Sequence, residues 1–393
     1  MESFFRTHKY LVNHLQSSVR RYLMDEINWS DRMIGIKGAR GVGKTTFLLQ
    51  IAKDLFNTSD NSCLYINTNN FYVQNVGIAS FAGEFYHNGG KVLLIDQVFK
   101  QPDWSHQLRL CYDKYPGLKI IFTGSPVMRL KSENPELNGI VKSYNLRGFS
   151  FREFLNIKTG LTIPSFSLDQ IINNHNEISK KILDFVNPKE LFPEYLHHGF
   201  YPFFLEKMNY SENLLKTMNM MIEVDILIIK QIELKYLPKI KKLFYLLTMS
   251  GNSAPNISHL AQELGMSRAT VMHYIKYLME ARLVNMIYAK DDEFPKKPAR
   301  VLLHNSNLIY SFYPKRFDDH DVQETFFCNT LWKDHIINKT GNSGAFLIDK
   351  THEFKIVEHA TKLKSKSKTL FAVNRCDIGE GNQIPLWLFG FLY

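Results

Sequence analysis

Up to residue 164, hydrophobic positions fall into two alternating kinds of segment. Short continuous apolar runs occur at 33–36, 63–66, 92–95, 119–122 and 143–146. Between the first two, residues 46–56 place apolar side chains at 47, 48, 51, 52 and 55, the spacing of one helical face. Runs this short suit strands covered on both sides, and strand alternating with helix predicts a parallel sheet with helices on its faces. Residues 1–30 read as amphipathic helix ahead of that sheet. Helical periodicity with few turn signals then predicts a helical region over 165–244. Residues 245–312 read as a compact helical unit followed by a strand, a loop and a strand. From 313 to 393 the pattern is α/β again, ending on IPLWLFGFLY, which is expected as a buried strand. Four segments follow, 1–164, 165–244, 245–312 and 313–393, in keeping with roughly 100–200 residues per domain.

The first run leads into IGIKGARGVGKTTFLLQ, which contains GxxxxGKT at Gly38, Gly43, Lys44 and Thr45. A strand before it and a helix after it are the context in which this spacing builds a phosphate loop. Glycines let the backbone curl until its N–H groups face phosphate oxygens, and the helix N-terminus adds partial positive charge. The residues expected to hold a nucleoside triphosphate are Gly38, Gly41, Val42, Gly43, Lys44, Thr45 and Thr46. Lys44 neutralises the outer phosphates, and the Thr45 hydroxyl is a ligand for Mg²⁺. The run KVLLIDQ supplies the second metal-side group, Asp96, at a strand end. Next comes Gln97, where hydrolysis calls for a carboxylate. An amide holds water but cannot accept its proton, so binding is expected with slow or absent turnover. The nearby acids Asp103 and Glu84 are candidates to substitute for that carboxylate, although the sequence does not place them. In IIFTGSP, Thr123 and Ser125 are candidates to sense the terminal phosphate, and a plain strand-to-loop turn explains them equally well.

In the third segment, Ser267 suits the N-cap of a second helix in a helix-turn-helix pattern. Val271, Ile275 and Leu278 form its packing face, and Arg268, Thr270, His273, Tyr274 and Lys276 include the outward candidates. The loop at 291–300, with Lys296 and Lys297, reads as a wing. Double-stranded DNA is one partner for such a unit; a lid or a protein docking surface is another. Asp291, Asp292 and Glu293 in the wing weigh against DNA.

Composition changes this picture little. The chain has 393 residues and a net charge of +10, which favours anionic partners without choosing among them. The four cysteines are scattered and form no CxxC pair, against a zinc site or a disulfide framework and in favour of a reducing compartment. The N-terminus lacks the marks of a secretory signal, and no run reaches the roughly 18 apolar residues of a membrane span. A soluble cytoplasmic protein is expected. The one biased stretch, residues 361–369, would place Lys362, Lys364, Lys366 and Lys368 on one face if extended, as a protected strand edge or a phosphate contact. No HExxH or other paired-histidine spacing occurs, and no NKxD-type guanine reader is evident.

Taken together, GARGVGKTTFLL, EFYHNGGKVLLID, YPGLKIIFTGS, LRGFSFREFLNI, YLHHGFYPFFLE, PNISHLAQELGMSRATVMHYIKYLMEARLVNMIY, ETFFCNTL and IPLWLFGFLY resemble the archaeal and bacterial AAA+ ATPases with a DUF4143-type C-terminal region, in a Bacteroidetes-like form. The resemblance implies an α/β fold: a P-loop NTPase parallel sheet of the additional-strand type, in which run 119–122 lies between run 33–36 and run 92–95. It also implies a helical lid, a winged helix-turn-helix and a C-terminal α/β restriction-nuclease-like domain. ATP, with adenine as the base, is the implied nucleotide, and nucleotide-driven switching and DNA association are the implied roles; a protein partner or self-association is a separate candidate. The chain departs from the family pattern in several places. Gln97 replaces an acid. PELNGIV carries Gly139 and Ile140 where an arginine pair is usual, although Arg129 and Arg147 lie close by in sequence. GAFLID and FKIVEH put Ala345 and Lys355 at acidic positions and His359 at a lysine. Clustered carboxylates are needed for metal-dependent cleavage, so an inactive nuclease-like domain is expected. The whole is read as an ATP- and Mg²⁺-binding switch in which Lys44, Asp96 and Gln97 stand at the catalytic positions. The alternative is a DNA-binding winged-helix regulator with structural nucleotide.

Overall fold

The computed structural model describes residues 1–15, 19–56, 60–128, 134–206, 209–312, 318–341, 344–360 and 368–393. The chain divides into two compact units, Met1–Gly148 and Phe149–Tyr393.

In the first unit the five apolar runs form β1 (Met33–Lys37), β2 (Cys63–Asn67), β3 (Val92–Asp96), β4 (Lys119–Gly124) and β5 (Lys142–Asn145). All pair in parallel, in the order β2-β3-β4-β1-β5. Strand β4 therefore lies between β1 and β3. The central β3 is buried throughout, as covering on both faces requires. The edge strand β5 reads KSYN and is largely exposed, with a lysine that discourages pairing with another chain. Helix Lys44–Leu55 follows β1 and buries Phe47, Leu48, Ile51 and Ala52. Helix Glu2–Asn13 packs on β2 and buries His8 and Val12. Cys63 and Cys111 are packed thiols, and burial pushes both up to about 12.

The second unit begins earlier than the expected boundary at 164. Helix Phe151–Thr159 opens with a capping box between Ser150 and Glu153. It buries Phe151, Phe154 and Leu155 in an aromatic core shared with Phe192, Phe326 and Phe391. Those three side chains commit the helix to this core. Helices Leu168–Leu183, Pro188–His198 and Tyr210–Met220 follow, and the last runs on into a π-helical turn at Met221–Ile226. Three more helices, Leu237–Met249, Ile257–Leu264 and Arg268–Glu280, precede the antiparallel pair β6 (Val284–Ala289) and β7 (Arg300–Leu303).

Helix Asp319–Leu331 then leads to β8 (Ile337–Lys339), β9 (Ala345–Ile348), β10 (His352–Val357), β11 (Leu370–Val373) and β12 (Gln383–Pro385). The seven strands of this unit run β12-β11-β10-β9-β8-β6-β7. The apolar tail is buried as expected but is not one strand: after β12 it coils into a 3₁₀ helix at Leu386–Phe391. A strand sends alternate side chains to opposite faces, whereas a coiled segment inside a core buries all of them. Leu386 through Phe391 are each fully enclosed. Gly390 permits this, because a Cβ there would lie 2.5 Å from that of Phe151. Of the lysine-rich stretch, residues 361–367 lie outside the described residues, as does Arg129.

Candidate functional site

The end of β1 turns directly into the loop 38–43. Gly41 and Gly43 have φ of 78° and 93°, in the left-handed region that side chains with a Cβ disfavour. Gly38 is required for a different reason: a Cβ there would lie 2.4 Å from the Leu146 carbonyl oxygen. Gly43 is the N-cap of helix Lys44–Leu55. Among the described residues no side chain caps that terminus and no acid lies in its first turn, which leaves its N–H groups and partial positive charge unsatisfied. The Lys44 ammonium donates to the carbonyls of Gly38 at 2.7 Å and Ala39 at 2.8 Å, which keeps it over the loop. Val42 is buried, while Thr45 and Thr46 are exposed.

Asp96 ends β3 beside this loop and is 1% exposed. Its carboxylate gathers four donors. Thr45 Oγ1 donates at 2.7 Å, Tyr65 Oη at 3.1 Å and Asn67 Nδ2 at 3.4 Å to one oxygen, and the Thr123 hydroxyl donates to the other. A buried carboxylate needs such partners to remain in the protein. Tyr65 and Asn67 are residues that the sequence did not single out. They come from β2, whose parallel register sets Asn67 opposite Asp96. Burial, then the adjacent Asp96 charge, raises the Tyr65 phenol above its ordinary range, so it stays a donor.

Gln97 follows in the left-handed conformation, with φ of 58°. Its N–H donates to Thr123 Oγ1 at 2.9 Å, and its carbonyl accepts from Thr68 Oγ1 at 2.6 Å. The backbone is thus fixed at both ends and the amide side chain is half-buried. Thr123 is committed to Asp96 and Gln97. Ser125, 2% exposed, accepts from the Val127 N–H at 3.3 Å and so closes the turn after β4. Asp103 is the exposed residue before helix Trp104–Lys114, and Glu84 lies on the exposed side of helix Ile78–His87.

In the second unit, helix Arg268–Glu280 is capped by Ser267 and buries Val271, Ile275 and Leu278. Arg268 and His273 are exposed. Tyr274, expected to face outward, is 7% exposed; it packs edge-on to Tyr236, which draws it inward. Phe294 from the loop between β6 and β7 sits against His273 and under the Lys276 ammonium, 4.0 Å from the ring centre. Ala345 and Lys355 are cross-strand partners in the β9–β10 pair.

Residues 30–155 match the profile of the AAA domain family, and residues 189–301 match a domain of unknown function, DUF8612. The first match falls on the parallel sheet with its phosphate loop. The first unit thus carries an AAA-type P-loop domain, the fold of nucleotide-binding ATPases. Uncharacterized protein MJ1637 of Methanocaldococcus jannaschii is 25% identical over 287 residues, 70% of this chain and 60% of its own length. The chain thus spans less than two thirds of that relative. Among solved structures, C. elegans PCH-2 is similar with a TM-score of 0.24 and 16% identity over 40% of this chain and 44% of its own. The Aeropyrum pernix ORC1 protein in complex with DNA is similar with a TM-score of 0.30 and 10% identity over 83% and 91%. At such scores neither likeness carries an argument. Among the described residues, no helix is long and apolar enough to cross a membrane.

Proposed function

We propose that this protein is an ATP-binding switch that hydrolyses its nucleotide slowly or not at all. The observation that carries this reading is the Thr45 hydroxyl held 2.7 Å from the Asp96 carboxylate, beside an uncapped helix N-terminus. The phosphates lie against the loop N–H groups of Gly38, Gly41, Val42 and Gly43, with Lys44, Thr45 and Thr46 at the helix start. Hydroxyl and carboxylate oxygens are the donors Mg²⁺ prefers, so Thr45 and Asp96 fit that ion. When bound, Mg²⁺ offsets charge on the phosphate oxygens. Thr123, Tyr65 and Asn67 hold Asp96 in place. Ser125 has no acceptor for its own proton among the described residues, which suits it to read the terminal phosphate. Gln97 orients water without deprotonating it.

ATP binding and single-turnover hydrolysis in the native chain and Gln97→Glu test the proposal. Tight binding with turnover gained in the variant supports it. Native turnover that the variant does not raise places the base elsewhere and overturns the slow-hydrolysis switch.

A second reading, a winged-helix unit that engages duplex DNA, is favoured by exposed Arg268 and His273 on a capped helix followed by the β6–β7 pair. Phe294 occupies part of that face, which suits a protein surface as well. Salt-dependent duplex binding lost in Arg268→Ala and indifferent to ATP would select it. The DUF4143-type and nuclease-like assignments for the C-terminal strands belong to the same proposal, with Lys355 opposite Ala345 opposing a metal-dependent cleavage site.

A further inference from the structure

The phosphate loop is gripped from behind by a residue well upstream of it. Arg21 is 5% exposed, an unusual burial for a guanidinium. It donates from Nη1 to the Val42 carbonyl at 3.0 Å and from Nη2 to the Arg147 carbonyl at 2.7 Å. Arg147 follows Leu146, whose N–H donates to the Lys37 carbonyl at 2.7 Å and whose own carbonyl abuts Gly38. One planar cation therefore ties the loop to the turn after β5. The same segment is anchored separately: Tyr22 Oη donates to the Asn145 carbonyl at 2.9 Å, and Gln50 Nε2 donates to the Val19 carbonyl at 2.9 Å.

From this geometry we infer that Arg21 is a positioning residue for phosphate binding, acting through the Val42–Gly43 peptide; the inference rests on the nucleotide reading above. In a planar trans peptide the C=O and N–H point in opposite directions. A guanidinium fixed on the Val42 carbonyl thus orients the Gly43 N–H the other way and polarises it. The left-handed φ of Gly43, which nothing in its own side chain enforces, is held from the carbonyl side.

The test is titration of the full chain with Mg·ATP for wild type, Arg21→Ala, Arg21→Lys and Tyr22→Phe, together with the Gly43 amide resonance. Loss of a charge-assisted hydrogen bond in Arg21→Ala is expected to weaken ATP roughly tenfold to a hundredfold. Arg21→Lys keeps the charge but not the two-pronged geometry, and is expected to recover part of that loss. If Arg21→Ala does not fold, the lysine variant, several-fold weaker at unchanged melting temperature, carries the test. Tyr22→Phe lowers the melting temperature but leaves ATP affinity within about twofold, since its bond of ordinary strength does not reach the loop. The nucleotide-dependent shift of the Gly43 amide shrinks in both Arg21 variants only. ATP affinity and Gly43 shifts unchanged in the Arg21 variants, or Tyr22→Phe weakening ATP as much as they do, overturns the clamp while leaving the nucleotide site intact. A wild-type chain that binds no nucleotide overturns the reading of the site and the clamp with it.

Discussion

His8 offers a measurement independent of any ligand. It lies on helix Glu2–Asn13, fully buried, and its Nδ1 accepts the Tyr65 backbone N–H at 3.0 Å. Nδ1 must be unprotonated to accept, so the ring proton sits on Nε2, which is buried without a partner among the described residues. Burial, and after it the charge of Lys9, lowers the imidazole from 6.5 to about 4. The sign follows from proton counts. Between those values the unfolded chain binds a proton that the native chain refuses, so stability is full above about 6.5 and is lost as pH falls toward 4. At about 1.4 kcal/mol per pKa unit, the whole effect is about 3 kcal/mol, of which about 2 kcal/mol is gone by pH 5.

Asparagine at this position keeps an acceptor near that of Nδ1 and takes up no proton. Native-state amide exchange at β2, corrected for intrinsic rates, reads the local stability directly from pH 7.5 to 4.5 in wild type and His8→Asn. Subtracting the variant removes what the carboxylates contribute in that window. A difference that grows to about 2 kcal/mol as pH falls to 5 is expected. Curves parallel to within about 0.5 kcal/mol would show that folding does not hold His8 neutral.

Three further outcomes follow from the same contacts. Gly38→Ala drives a Cβ into the Leu146 carbonyl, 2.4 Å away; a loss of about 2 kcal/mol or more in thermal unfolding of the first unit is expected, with ATP binding lost as well. Tyr65→Phe removes one donor from Asp96 and is expected to cost about 1 kcal/mol and raise the Mg²⁺ concentration needed for ATP binding; an unchanged requirement would free Tyr65 of that role. Arg300→Ala takes the guanidinium, 2.6 Å away, from Glu324, which is 3% exposed and keeps only Asn252 at 3.2 Å and His320 at 3.4 Å as partners among the described residues; denaturation of the second unit should show about 2–3 kcal/mol of lost stability, partly relieved by adding Glu324→Gln.

The parallel sheet was legible in the sequence because a strand buried on both faces must be apolar throughout. The five runs and the five strands agree to within a residue or two at each end. The turn of loop 38–43 was legible for a related reason: Gly41 and Gly43 take positive φ there, and such local geometry is written in consecutive residues. Asp96 alone reads as an ordinary strand end, and it stood out only because the GxxxxGKT motif lies upstream of it. Tertiary structure decided what surrounds it. CLYIN reads as one more buried strand, and only the register of β2 beside β3 turns Asn67 and Tyr65 toward Asp96. Arg21 lies 21 positions before Val42 and His8 57 before Tyr65, and no periodicity links residues across such gaps. Tyr274 matched the outward side of its helix by spacing, yet Tyr236 draws it in. The tail was recognisably core, but whether an apolar segment runs straight or coils depends on the shape of the space around it. Here that space is set by Phe151 and Phe326 packed against Gly390.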